Sequence, residues 1–453
     1  MSQSSICRKS RLAFFLAAAA TSVFGWLATD GAELTVGTGK TVITPILSSP
    51  MAGYFFERQA EGVHDELMAK AILFRQSGRV VGLVACDLIE LPREVVDKSK
   101  SLVEKRTGIP PEHLIASATH AHTGPKRQPS YDNWLAEKIA DAVQMAAADF
   151  KPAEMAFGTG EERRLAFHRR YWMKDGTLRT NPGKLNPDVV RPAGGIDPSV
   201  SVLLVSQLDG TPLAIVENYA LHLDTIGGTS VSADFPHFLS AILGRVMGPQ
   251  LLTVHTTGAC GNINHWDIQS ADPQRSFAEA RRIGTVLAGE VLKVAAFAEP
   301  LKVDGVGGLI KDVELPLKSF TEEELAKARE IVQVPNPPGV DFVLERVWAL
   351  RALEIVDRKQ PTISARVQAI RVGEVALVAV PCELFYELGA DIKRESPFPH
   401  TVVIELANDS IGYVPRREDY ANGGYEVVNS RLAPGGGEQI VETALGLLKR
   451  LRQ

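Results

Sequence analysis

The stretch AKAILFRQSGRVVGLVACDL, residues 69–88, decides the fold class. Two aliphatic, β-type runs flank Ser77-Gly78, the pattern of two strands joined by a tight turn. Directly after it, PREVVDKSKSLVEKRTG (92–108) carries apolar residues at helical spacing and closes on Gly108, a C-cap candidate. HLIASATHAHTGP (113–125) then reads as a short buried strand that runs out into a loop. Strand pair, helix and strand in immediate succession indicate an α/β (mixed α+β) chain.

The same alternation continues outward. NWLAEKIADAVQMAAADF (133–150) is an amphipathic helix, and SVSVLLVSQLDGTPLAIVENYALH (199–222) is a second hairpin with an Asp-Gly turn. FPHFLSAILGRVMG (235–248) and RSFAEARRIGTVLAGEVLKVAAF (275–297) read as helices, with the strand-to-loop stretch LLTVHTTGACGNINHW (251–266) between them. Thr321 and Glu324 form a capping-box pair ahead of a helix, a PNPPG breaker follows, and 341–358 is helical again. ISARVQAIRVGEVALVAVPCEL (363–384) is a third hairpin; a helix, TVVIELAND (401–409), a Tyr- and Gly-rich loop and a last helix complete the chain. VGLVACDL, helix, LIASATHAH echoes VALVAVPCEL, helix, VVIELANDSIGY. No linker interrupts the pattern, so the expectation is a single large domain of central β-sheets flanked by helices.

Composition sets limits on partners. With 453 residues, 45% hydrophobic, 23% charged and a net charge of −5, the chain has an ordinary globular make-up. It carries no basic or acidic run that would recruit nucleic acid or an anionic membrane surface. Arg8, Lys9 and Arg11 precede LAFFLAAAATSVFGWLA (12–28), so residues 1–32 read as a secretory signal peptide and the product as exported, periplasmic or secreted. A short membrane anchor is the competing reading, and no other stretch is long enough to span. Cys86, Cys260 and Cys382 lie in or beside apolar strand-like runs and are expected as buried small hydrophobes; Cys7 belongs to the signal.

The chemistry concentrates at strand ends. In ATHAHTGP (118–125), His120 and His122 are two apart, and on an extended segment such residues share a face. His222 follows an apolar strand in ENYALHLDT, and Glu383 follows another in VPCELFYE. Tyr413 and Tyr425 lie on the Gly-rich stretch 412–426. Imidazoles and a carboxylate at strand ends are the donors of a zinc site, although each has an ordinary structural alternative. Asp87 is either a partner for a ligand imidazole or an N-cap.

ATHAHTGP resembles the THTHSGP signature of the neutral/alkaline non-lysosomal ceramidases, zinc amidases of sphingolipid metabolism. EGVHDELMAKAILF (61–74), FHRRYWMKDG (167–176), NYALHLDT (218–225), PCELF (381–385) and YVPRREDYANGGYE (413–426) resemble further segments of that family in the same order, over about residues 34–450. The resemblance implies a zinc hydrolase domain over 33–453, with Zn2+ held by His120, His222, Glu383 and Tyr413. His122, Arg169 and Tyr425 would then face the scissile amide, attacked by zinc-activated water. At Gly261-Asn262-Ile263-Asn264-His265-Trp266, Asn264 stands where the family has a serine. A serine nucleophile is therefore excluded there, and Asn264 is expected to alter the contacts near the reacting group. His265 is read as a loop histidine. Family members also carry a C-terminal immunoglobulin-like domain, for which a chain ending at Gln453 leaves no room. The expected substrate is a small-molecule or lipid-like, ceramide-like linear amide. The alternatives are an amidase or esterase for a non-sphingolipid N-acyl substrate, or an exported binding protein with a relict site.

Overall fold

In the computed structural model, residues 33–334 and 343–453 are described, so the signal segment and the PNPPG breaker lie outside the described residues. The hairpin read at 69–88 lies toward one edge of a nine-stranded sheet. Its strands are β1 (Thr35–Val42), β2 (Met68–Gln76), β3 (Arg79–Cys86), β4 (Leu114–Ala118), β5 (Lys151–Glu161), β6 (Ser199–Gln207), β7 (Pro212–Tyr219) and β8 (Leu252–Thr257). They run in the order β8-β7-β6-β5-β1-β2-β3-β4, with Glu299–Pro300 pairing on β5. Between β2 and β3, Ser77 and Gly78 both have positive φ (49° and 77°), as a two-residue turn matched to strand twist requires.

A second sheet holds β9 (Val306–Pro316), β10 (Thr362–Val372), β11 (Val375–Ala379) and β12 (His400–Ile404), in that order. The sheets pack face to face through Ile72, Leu83, Val254, Leu377 and Ile404. Their outer faces are covered by helices. α1 (Arg93–Thr107) and α2 (Pro129–Ala148) pack on β1–β4, and α3 (Phe235–Met247) and α4 (Phe277–Ala296) on β5–β8. α5 (Glu322–Ile331) and α6 (Leu344–Asp357) pair over Leu325, Ala328, Ala349 and Ala352. α7 (Tyr386–Glu395) and, beyond the short α8 (Tyr425–Asn429), α9 (Gly436–Arg452) cover the second sheet. Helix, sheet, sheet, helix is thus the layer order.

This layering explains the unbroken apolar runs of the sequence. In β11, Val375, Leu377 and Ala379 face the other sheet while Ala376 and Val378 face helices, so neither side can be polar. Three strand–helix–strand units have parallel strands: β3-α1-β4, β7-α3-β8 and β11-α7-β12. The sequence echo is therefore a real structural repeat, with a third copy at 212–257 that the sequence did not disclose. Short loops at the carboxyl ends of these strands carry the candidate site.

Close helix–sheet contact depends on Gly37 in β1. A Cβ there would lie 2.0 Å from the backbone oxygen of Ala146 in α2. Gly37→Ala is expected to cost about 1–3 kcal/mol by overpacking, read as a lower urea midpoint with unchanged m-value.

Candidate metal centre

His120, His222 and Glu383 are delivered by strand ends. Thr119 and His120 leave β4, and His120 adopts φ +73°, a left-handed conformation that is uncommon for a residue with a side chain. Its backbone N–H bonds to Leu88 O and its Nδ1 to Ile89 O at 2.9 Å. A carbonyl can only accept, so Nδ1 carries the proton and Nε2 presents a lone pair inward. His122 repeats the device: Nδ1 donates to Gly53 O at 2.9 Å. His222 follows β7, and its loop is tied to the His120 loop by the Ala121–Leu223 bridge and by His122 N–H to Leu223 O.

The rings converge. His120 Nε2 lies 2.8 Å from His222 Nε2 and 3.4 Å from His122 Nε2. Glu383 Oε2 is 3.3 Å from His120 Nε2 and 3.8 Å from His222 Nε2, and it has no hydrogen-bond partner. Glu383 is paired in parallel with Tyr413, over whose ring the Arg169 guanidinium lies at 5.1 Å. The Glu383 turn sits directly on Gly261, where a Cβ would be 2.4 Å from Glu383 O.

Electrostatics follow from burial. Burial, together with the neighbouring His120, pushes His122 down to about 4 and His222 well below its ordinary range. Burial opposes charge on His120 too, but the Glu383 carboxylate beside it outweighs that and raises His120. Burial also opposes charge on Glu383, yet His120 and the Tyr413 hydroxyl hold its carboxyl low. The inward lone pairs of His120 and His122, 3.4 Å apart, repel unless a proton or a cation lies between them. The donors suit a metal: around zinc at 2.0–2.1 Å, tetrahedral ligands stand ~3.3 Å apart, and the observed separations bracket that value.

Arg169 is buried, donating to Glu426 Oε1 at 2.7 Å and to Gly261 O at 2.7 Å. Arg170, which the sequence reading passed over, pairs with Asp419 at 2.7 Å and donates to Gly423 O. These buried pairs fasten the loop that carries Tyr413 and Tyr425. Tyr425 opens α8, and its oxygen accepts from Asn429 Nδ2 at 3.0 Å while Arg351 of α6 donates to Asn429 Oδ1 at 2.6 Å. α6 thereby buttresses Tyr425 through Asn429.

A cavity of about 290 Å3 opens beside the histidines, lined by His122, Arg169, His222, Tyr413 and Tyr425 among others. Asn264 does not line it: Asn264 is buried and reaches the wall only by donating to Asn181 Oδ1 at 2.9 Å. His265 is indeed a loop histidine, bonded to Gln274 O at 2.7 Å and lying 3.0 Å from Asp224. Asp87 fills neither expected role. It accepts from Met68 N and faces Lys70 at 3.9 Å, because a backbone carbonyl already orients His120 and the cap of α1 is Pro92. Cys86, Cys260 and Cys382 are buried and free, but Cys260 is more than a hydrophobe: its Sγ lies 3.0 Å from Glu405 Oε1. Glu405, at the end of β12 and pushed up to about 8 by burial, also accepts from Cys260 N and Leu384 N, clamping two site loops together.

No protein-family model matches the chain. It is 24% identical over 480 residues to the neutral ceramidase of Pseudomonas aeruginosa, an alignment covering 88% of this chain and 69% of that protein. The crystal structure of a neutral ceramidase from Pseudomonas aeruginosa superimposes with a TM-score of 0.74 at 20% identity, covering 93% of this chain and 75% of the other. A ceramidase complexed with C2 gives 0.73 at 18%, with the same coverage. The chain thus shares the fold of these ceramidases and resembles one of them along most of its sequence.

Proposed function

We propose that the protein is an exported, zinc-dependent hydrolase that cleaves the linear amide of an N-acyl substrate, ceramide-like in its reacting group. One observation carries this reading: three imidazole Nε2 atoms and a Glu383 oxygen converge on a common centre beside a cavity. His120, His222, Glu383 and Tyr413 would hold the ion. Bound zinc polarises a carbonyl and lowers the pKa of its water to about 7.

The chain's own residues supply the rest. His122 is neutral in its buried setting, its Nδ1–H is tied to Gly53 O, and its Nε2 faces inward, which suits proton transfer from water to the leaving nitrogen. Tyr425 stays protonated because burial raises it, so its hydroxyl is a donor for a developing oxyanion. Arg169, its charge balanced by Glu426, packs over the Tyr413 ring and holds it at the cavity wall. Export rests on the basic and apolar N-terminal residues 8–28. Among the described residues no helix is long and apolar enough to cross a membrane. The second reading, a non-sphingolipid amide or ester as substrate, is favoured by Asn264 at the place of the family's serine.

Purified protein is expected to contain one zinc per chain, to lose amide hydrolysis on chelation and to regain it with zinc. His120→Ala should abolish both the metal content and the activity. Full activity in metal-free protein would reject the metal reading. Tyr425→Phe is expected to keep zinc but lower kcat by roughly 10²–10³, the cost of one oxyanion donor; an unchanged kcat would remove Tyr425 from that role.

A further inference from the structure

The wall of the cavity facing away from the ligand cluster has a polarity of its own. Its residues include Asn181, Lys184, Asp224, Trp266 and Arg275. The orientation of Asn181 is fixed by a relay. The Trp266 backbone N–H, which can only donate, bonds to Asn264 Oδ1 at 3.1 Å. Asn264 must then offer Nδ2, which meets Asn181 Oδ1 at 2.9 Å. With its oxygen taken, Asn181 has its –NH2 to offer a ligand. Its backbone is held at φ +47°.

Two cations stand beside that amide. Lys184 Nζ lies 5.3 Å over the Trp266 ring and donates to Asp272 O. The Arg275 guanidinium lies 4.9 Å from the Tyr54 ring centroid and 5.9 Å from that of Trp266. Aromatic faces hold a cation in place without neutralising it. The nearest carboxylate on this wall is Asp224, 3.9 Å from Arg275 and 3.0 Å from His265 Nδ1. Arg169 is balanced by Glu426. The wall is therefore a set of N–H donors with two cations against one shared carboxylate. At about 290 Å3, the cavity is at the lower limit of roughly 300–1,000 Å3 for ligand sites, so it fits a compact head group.

We infer that the substrate's head group is anionic: an amide bearing a carboxylate within a few bonds of the scissile carbon, as in an N-acyl amino acid, held by Lys184, Arg275 and the Asn181 amide. This rests on the hydrolase reading above and narrows it. The reaction is amide plus water giving a carboxylic acid and an amine; the C–N bond breaks, water oxygen joins the acyl carbon and a water proton goes to nitrogen. The anion takes no part in that exchange and serves to hold the head group.

The test compares isosteric pairs on the zinc-loaded protein. N-hexanoylglycine and N-hexanoylethanolamine place the charge on the amine side; N-ethylsuccinamate and N-ethylbutanamide place it on the acyl side. At least a tenfold higher kcat/KM for the anionic member of either pair is expected. Lys184→Ala with Arg275→Ala should collapse that ratio toward one through KM, and Lys184→Glu should reverse it. Binding of the non-hydrolysable N-(hexylsulfonyl)glycine, followed by calorimetry, should weaken at least tenfold in the double variant and with added salt. A preference for the neutral members or for ceramide, or binding indifferent to both cations, overturns the inference while leaving the hydrolase reading standing. Failure to hydrolyse any amide, with the anionic sulfonamide still bound through Lys184 and Arg275, would instead overturn the hydrolase reading alone.

Discussion

The arrangement at this site depends on one electrostatic constraint: inward imidazole nitrogens and a carboxylate oxygen crowd one point and require a proton or a cation between them. Backbone carbonyls create the constraint. Ile89 O and Gly53 O take the Nδ1 protons of His120 and His122, leaving Nε2 no choice of direction. A lone proton on His120 satisfies part of it, which is why Glu383 raises that group while burial and His120 depress the other two. A divalent ion satisfies all of it. The left-handed backbone at His120 is local strain maintained for this geometry, at a place where surrounding hydrogen bonds over-determine the conformation.

The fold supplies that over-determination. Parallel strand–helix–strand units release their loops at the same edge, and two cross-links join those loops: the Ala121–Leu223 bridge and the Glu383–Tyr413 pair. Glu405 ties a third, bonding both Cys260 and Leu384. The two-sheet core beneath is apolar on both sides, so these polar clamps are confined to the strand ends. A buried carboxylate such as Glu405 is tolerable only because three donors surround it.

Much of this was legible in the residues. Hairpins announced by Ser77-Gly78, Asp209-Gly210 and Gly373-Glu374, the Gly108 C-cap and the Thr321–Glu324 capping box all follow from local turn and cap chemistry, which acts within a few positions. His120, His222 and Glu383 were visible because each follows an apolar strand. What could not be read was pairwise and distant. Arg170, Asp419 and Glu426 look like ordinary surface charge in sequence and prove to be buried partners. Asp87 reads as a partner for a ligand imidazole or as an N-cap, but a main-chain carbonyl orients His120 and Pro92 caps α1. The face-to-face packing of the two sheets was equally hidden, since an apolar strand reads the same against a helix or against a sheet.

Buried and exposed cations at this site have different work to do. Arg169 and Arg170 are desolvated and paired with Glu426 and Asp419, so their charge is committed to holding the tyrosine loop. Removing one partner would leave a buried charge uncompensated, which is why such pairs act as fixtures. Lys184 and Arg275 stand nearer solvent on aromatic faces, keep most of their donors uncommitted and answer to whatever enters the cavity. Asn264 belongs to the second group through Asn181: it makes no contact with the cavity itself but decides which end of the neighbouring amide faces it. Asn264 thus touches the cavity wall through Asn181 and makes no contact with the convergent donor cluster, so the two parts of the site rest on separate sets of residues.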